Sequence, residues 1–174
     1  PALLCCFCFF RVRWSTGIII FSSSAASGVY KRQVITRQYS ICSNPARRDI
    51  YEIAVQKEAD GKGGSQAVHD NFTLGLQLNC QPVKNHFPLQ LDERPVVLIA
   101  GGIGITPIKA MAQTLKANGK YFQVHYAGKS RDTMPFLDRL EREFNTDISC
   151  YFSDANNRLD INAIIANAPP NAMF

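Results

Sequence analysis

Hydrophobic and polar positions follow two different rhythms along this chain. Between residues 34 and 92 apolar side chains recur mostly with a period of two, whereas from residue 93 a continuous apolar run opens a regular succession of strand and helix patterns. Residues 36–42 alternate around Tyr39 and Ile41, and residues 50–55 alternate apolar with polar side chains. Both predict antiparallel strands, joined through the turn formers Ser43, Asn44 and Pro45. A glycine cluster, Gly61, Gly63 and Gly64, then leads to Ser65 as an expected helix cap and to a short helix through Ala67, Val68 and Phe72. Residues 74–80 predict a further strand and residues 82–92 a linker.

In the second half, residues 95–100 form an unbroken apolar run, the mark of a strand buried on both faces. A glycine turn follows, and Thr106 with Pro107 predicts a helix start, a cap followed by a first-turn proline. Ile108, Met111, Ala112 and Leu115 share one face of that helix, which Asn118 and Gly119 end. Strands are predicted at 122–126 and 148–152, with a helix between them marked by Phe136, Leu137, Leu140 and Phe144. The β-α-β-α-β order implies a parallel sheet with crossover helices, a half-Rossmann α/β arrangement. The expected organisation is a leader at 1–33, a β-rich domain at 34–92 and an α/β domain at 93–174.

Composition narrows the classes of function. Of 174 residues, 46% are hydrophobic and 19% charged, which suits a globular protein rather than a disordered or polytopic membrane one. The net charge of +5 sits almost entirely in residues 1–33, where Arg11, Arg13, Lys31 and Arg32 face no acid, leaving 15 bases against 14 acids elsewhere. Without a basic run interleaved with aromatics, no nucleic-acid partner is expected. No apolar run reaches 18 residues, so neither is a transmembrane helix. In residues 1–33 the charges lie between two apolar patches and a serine-rich stretch follows, an order that does not suit a signal peptide. The Val29-Tyr30-Lys31-Arg32-Gln33 string looks like translated adapter sequence, so this leader is read as foreign to the domain or disordered, with a membrane anchor as the alternative. Cys5, Cys6, Cys8, Cys42, Cys80 and Cys150 lack the spacing of a disulfide scaffold, which favours a reducing, cytoplasmic location. The last three are expected to be small buried side chains.

Three elements point to bound phosphate. Gly101, Gly102 and Gly104 lie between a buried strand and a capped helix, where a ligand can approach the backbone closely and meet the positive end of the helix. The pattern is neither a Walker A loop nor G-x-G-x-x-G. Arg37 and Tyr39 would share one face of their strand, with Gln38 and Ser40 on the other, offering a guanidinium fork to a phosphate and a ring to an aromatic cofactor. Gly63, Gly64 and Ser65 open a second helix and so a second nest. Two phosphate-bearing ligands are the simplest common explanation. His69, His86 and His125 show no metal-ligand spacing, and no metal is expected. The charged run from Arg139 to Glu143 reads as the solvated face of its helix.

The ordered set RQYSICSNP at 37–45, YEIAVQK at 51–57, GKGGSQAVHD at 61–70, NHFPL at 85–89, VVLIAGGIGITPIKAMA at 96–112 and VHYAGKS at 124–130 resembles the ferredoxin reductase superfamily. It is most similar to the group of phthalate dioxygenase reductase and vanillate demethylase reductase, the class IA oxygenase reductases. The resemblance implies an antiparallel flavin-binding β barrel, present here in part, followed by an NADH-binding α/β domain. It implies FMN, with FAD as the alternative, and a 2Fe-2S centre in a further C-terminal domain. Electrons would pass from NADH through the flavin to that centre and on to a terminal oxygenase component or ferredoxin.

Carried over by position, Arg37 becomes a ligand of the flavin phosphate, Tyr39 a ring-packing residue beside Gln38, and Ser40 a hydrogen-bond donor at the hydride-accepting nitrogen. Ala54, Val55 and Lys57 match a flavin-contacting strand, with Gln56 where the family often has lysine. Gly63, Gly64 and Ser65 match the second phosphate contact, and Gly101, Gly102, Gly104, Thr106 and Pro107 the nicotinamide loop. Ser40 and Thr106 are the residues expected at the reacting rings, converging on one crevice. Lys129 and Ser130 fall where the adenosine ribose is read; the preference for NADH over NADPH follows from the resemblance alone. Family members carry a Cys-Gly-Pro motif and four cluster cysteines beyond the last strand seen here, so the chain reads as an internal fragment, expected to bind flavin poorly and to be inactive by itself. An FAD- and NADPH-dependent ferredoxin reductase, or a non-catalytic flavin- or nucleotide-binding module, are the alternatives.

Overall fold

The computed structural model describes residues 18–23, 35–61, 63–74, 76, 79–80 and 82–174. Two compact units divide the chain, Pro1–Pro88 and Leu89–Phe174. The predicted leader, apart from residues 18–23, lies outside the described residues.

In the first unit, strand β1 (Ile18–Ser23) pairs antiparallel with β2 (Ile35–Ser40), Ile18 opposite Ser40 and Ser23 opposite Ile35. Its other edge takes the short β3 (Asn79–Cys80), giving the order β2-β1-β3. The run of β-branched residues Ile18, Ile19 and Ile20 suits a central strand, and it comes from the stretch set apart as a leader. Helix α1 (Gly64–Asn71) follows, and Val68 from it joins Ile41, Tyr51, Ile53 and Val55 in a small buried cluster. Tyr39, Phe72 and Val83 pack against that cluster.

Two expected strands change character. Residues 50–55 form no ladder: Cys42 donates its N–H to the carbonyl of Glu52 at 2.8 Å, and Tyr51 makes only an isolated bridge. Tyr51, Glu52, Ile53, Ala54 and Val55 are all buried, so the alternation that suggested one wet face lies enclosed on both sides. His69 Nε2 donates to the Val55 carbonyl at 2.9 Å and thereby uses an acceptor that a neighbouring strand would need. Of the described residues in 74–80, Asn79 and Cys80 are strand; the chain turns at Thr73, whose carbonyl accepts the N–H of Leu76, and Leu74 stands fully exposed. Of the three cysteines among the described residues, Cys80 is likewise exposed, Cys150 is half-buried and Cys42 is enclosed. Among the described residues the first unit's sheet has three strands.

The second unit follows its sequence pattern closely. Strands β4 (Val96–Gly101), β5 (Phe122–Gly128) and β6 (Ile148–Phe152) form a parallel sheet in that order, Val96 opposite Phe122 and Val124 opposite Ile148. Helices α2 (Ile105–Ala117) and α3 (Leu137–Phe144) connect them, and α4 (Ile161–Asn167) follows β6. Asp160 caps α4 through bonds from the N–H groups of Asn162 and Ala163. One core joins Leu98, Ile105, Leu115, Val124, Leu140 and Phe144. Full burial of each such side chain is worth about 1.5–3 kcal/mol. Phe122 and Phe144 meet edge to face, with ring centres 5.6 Å apart. Both outer edges of the sheet are occupied: the Met173 backbone pairs with Pro95 and Val97 beside β4, and the Asn157 side chain reaches the Cys150 carbonyl of β6 at 3.3 Å. On α3, Glu143 accepts two bonds from Gln113 of α2, so part of the expected solvated face is an interhelical contact. Among the described residues, no helix is long and apolar enough to cross a membrane.

His125 on β5 is expected to make this unit's stability depend on pH. Its Nδ1 lies 2.9 Å from the Tyr151 hydroxyl, its Nε2 is buried without a partner among the described residues, and burial pushes its pKa down. The unfolded chain therefore binds a proton, near the ordinary histidine value of about 6.5, before the folded chain does. Stability is fully present above that value and is lost as pH falls towards the folded pKa. Urea unfolding across this range is expected to show the decline, and His125→Gln to flatten it. An equally steep decline in the variant would assign the effect elsewhere.

Candidate functional site

In the first unit, β2 and α1 bring together residues from two separate motifs. The Arg37 guanidinium lies against the backbone of Gly64: a Cβ there would stand 2.5 Å from Nε and 2.8 Å from Cζ and Nη2. Only glycine leaves room for that approach. Gly63, the residue before the helix, has φ of 78° and no side-chain cap covers the opening N–H groups. A guanidinium is thus set beside the positive end of a helix, an arrangement that suits an anion. Gln38 is exposed, while Arg37 and Tyr39 are half-buried on the alternate face, as strand geometry requires. Burial pushes the Tyr39 phenol up, Arg37 opposes the shift and Glu58 adds to it, which places both charges within electrostatic reach of the ring. Ser40 ends β2 half-buried, and its hydroxyl has no partner among the described residues.

Ser65 does not cap α1. The helix begins one residue earlier, and the Ser65 hydroxyl instead accepts the Glu58 N–H at 3.1 Å, fastening the loop to the helix. Ala54 and Val55 are buried and the Val55 carbonyl is engaged by His69, whereas Lys57 is exposed and pairs loosely with Asp70 at 3.9 Å.

In the second unit, the turn after β4 is a short 3-10 segment, Gly102–Gly104, leading directly into α2. Gly102 has φ of 50°, within the range that favours glycine. A Cβ at Gly101, Gly102 or Gly104 would meet nothing within 4 Å, so the turn borders open space. Thr106 is not the cap: Gly104 holds that position, and Thr106, the second helical residue, is buried with its hydroxyl donating to the Ile103 carbonyl at 3.1 Å. Pro107 remains in the first turn, where a missing N–H leaves no bond unmade. Lys129 and Ser130 follow β5 at the same carboxyl edge of the sheet, where ligands of open α/β sheets bind. Lys129 is exposed; the Ser130 hydroxyl and N–H bond to the Thr133 hydroxyl at 3.1 and 3.2 Å, closing a turn. Gly128 touches Met134 so closely that any side chain there would overlap it. Glu58 and Tyr126 also belong to these sites, yet a surface-loop acid and a strand tyrosine carry no signal in sequence that separates them from ordinary positions.

The fold and these two candidate sites are similar to those of known reductases. Vanillate O-demethylase oxidoreductase of Pseudomonas putida is 34% identical over 163 residues, covering 92% of this chain and 51% of its own. Its matched stretch therefore reaches back before residue 34. Among solved structures, an intact type IV self-sufficient cytochrome P450 monooxygenase is 36% identical with a TM-score of 0.79, matching 91% of this chain and 20% of that one. Phthalate dioxygenase reductase, described as a modular structure for electron transfer from pyridine nucleotides to [2Fe-2S], is 27% identical with a TM-score of 0.79, over 92% of this chain and 49% of that one. No family model matches. The chain is thus homologous to reductases of the ferredoxin reductase superfamily, among them those of the class IA oxygenase group. It spans about half the length, or less, of the relatives it matches.

Proposed function

We propose that this chain supplies the flavin-phosphate and dinucleotide elements of an oxygenase reductase that passes electrons from NADH through FMN to a 2Fe-2S centre, and thence to a terminal oxygenase component or ferredoxin. The carrying observation is the Arg37 guanidinium laid on Gly64 at the head of α1, where a guanidinium fork and helix N–H groups suit a phosphate monoester. Bound flavin and dinucleotide supply the hydride transfer and the change to single electrons. The chain's residues hold and orient. Arg37 and the N–H groups after Gly63 grip the flavin phosphate, while Tyr39, with Gln38 beside it, packs along the ring. Ser40 donates its hydroxyl to the ring nitrogen that receives the hydride. Backbone at Ala54 and Val55, with Lys57, borders the flavin, and Ser65 keeps the phosphate loop in place. Gly101, Gly102, Gly104 and Pro107 shape the dinucleotide turn, Thr106 fixes its geometry beside the nicotinamide, and Lys129 with Ser130 reads the ribose. In this reading β1, β2 and β3 are strands of the flavin barrel.

The test is a chimaera in which this chain replaces the matched stretch of vanillate O-demethylase oxidoreductase. NADH is expected to bleach its bound flavin in anaerobic stopped flow, and Ser40→Ala to slow bleaching with little change in flavin affinity. A chimaera that holds flavin yet is not reduced by NADH would refute the proposal.

A further inference from the structure

The carboxyl edge of the parallel sheet is tied together by Tyr126 of β5, which is wholly enclosed. Its hydroxyl lies 3.2 Å from the Gly102 carbonyl and 3.1 Å from the Pro135 carbonyl, so one proton is shared between the turn after β4 and the loop before α3. The Gly102 carbonyl also accepts the N–H of Ile105 at the start of α2. Both lone pairs of that oxygen are therefore engaged by the protein. In a trans peptide the carbonyl and the following N–H point in opposite directions. A Gly102 carbonyl held towards Tyr126 turns the Ile103 N–H away from it, and a Cβ on the glycines of the turn would meet nothing within 4 Å. Gly102, at φ of 50°, has no steric preference for this conformation over its mirror, so a contact must select it. The Tyr126 hydroxyl is that contact from outside the turn.

We infer that Tyr126 is a positioning residue for the dinucleotide turn: by fixing the Gly102–Ile103 peptide it presents the Ile103 N–H to the anionic part of the dinucleotide. The inference rests on the reading of this turn as the dinucleotide site. It adds a side chain that never touches the ligand.

Tyr126→Phe keeps the ring and removes only the hydroxyl. Calorimetry on the intact chain is expected to show NADH and ADP-ribose binding about tenfold weaker in the variant, the size of one well-placed hydrogen bond. A lower melting temperature with unchanged affinity would mean a purely structural hydroxyl and would overturn the inference. Failure of the wild-type chain to bind either ligand would instead remove the dinucleotide reading, and this inference with it. Should Tyr126→Phe not fold, the Ile103 amide resonance of nitrogen-labelled wild-type chain decides: a shift on adding ADP-ribose supports the inference, and an unmoved resonance with ligand bound overturns it.

Discussion

Arg37→Ala is expected to erase the chain's preference for FMN over riboflavin, which differ only in the phosphate. Charge-assisted bonds to a phosphate are worth about 2–3 kcal/mol where they are desolvated, roughly 30- to 160-fold in affinity. The ratio of the two affinities isolates this contribution, because whatever limits ring binding cancels between the ligands. Gly64→Ala should have nearly the same effect by another route: its Cβ would stand 2.5 Å from Arg37 Nε and must displace the guanidinium from the helix end. If both act through one phosphate, the double variant is no worse than either single one. Fluorescence titrations of the four proteins with FMN and riboflavin give the cycle. Additive losses would mean that the two residues do not share a ligand.

That pair also shows where sequence reasoning reached its limit. The turn after β4 was legible because an apolar run, three glycines and a proline-marked helix start are all local signals, and the parallel order of β4, β5 and β6 followed from alternation alone. The guanidinium on Gly64 joins residues far apart in the chain, which no spacing rule connects. Side-chain commitments were equally hidden. Thr106 looks like a cap, yet the 3-10 turn Gly102–Gly104 starts α2 at Ile105 and moves Thr106 inside the helix, where its hydroxyl serves Ile103. Ser65 looks like a cap, yet the left-handed Gly63 opens α1 and frees the serine to hold Glu58. The alternation at 50–55 implied a wet face, but Glu52 is 6% exposed, so burial there comes from tertiary packing that the segment's own pattern does not report.

Gly101→Val should separate stability from dinucleotide binding. Gly101 ends β4 with ordinary extended angles, φ −123° and ψ 129°, and its Cβ would meet nothing within 4 Å. Valine suits such a position better than glycine by up to about 1 kcal/mol, so the melting temperature should hold or rise. The added methyl groups project into the open side of the turn, where the dinucleotide is proposed to lie, and affinity for NADH should fall by at least about a hundredfold, or 2.8 kcal/mol. Gly102→Ala is the contrasting case, since its φ of 50° costs an L-residue about 1–2 kcal/mol. It should lower the melting temperature as well as the affinity. Thermal unfolding and calorimetric titration of both variants test the pair. A Gly101→Val chain that binds NADH as tightly as wild type would show that the space beside the end of β4 is not where the ligand goes, because a Cβ there has nothing within 4 Å to hold the added methyl groups back from it.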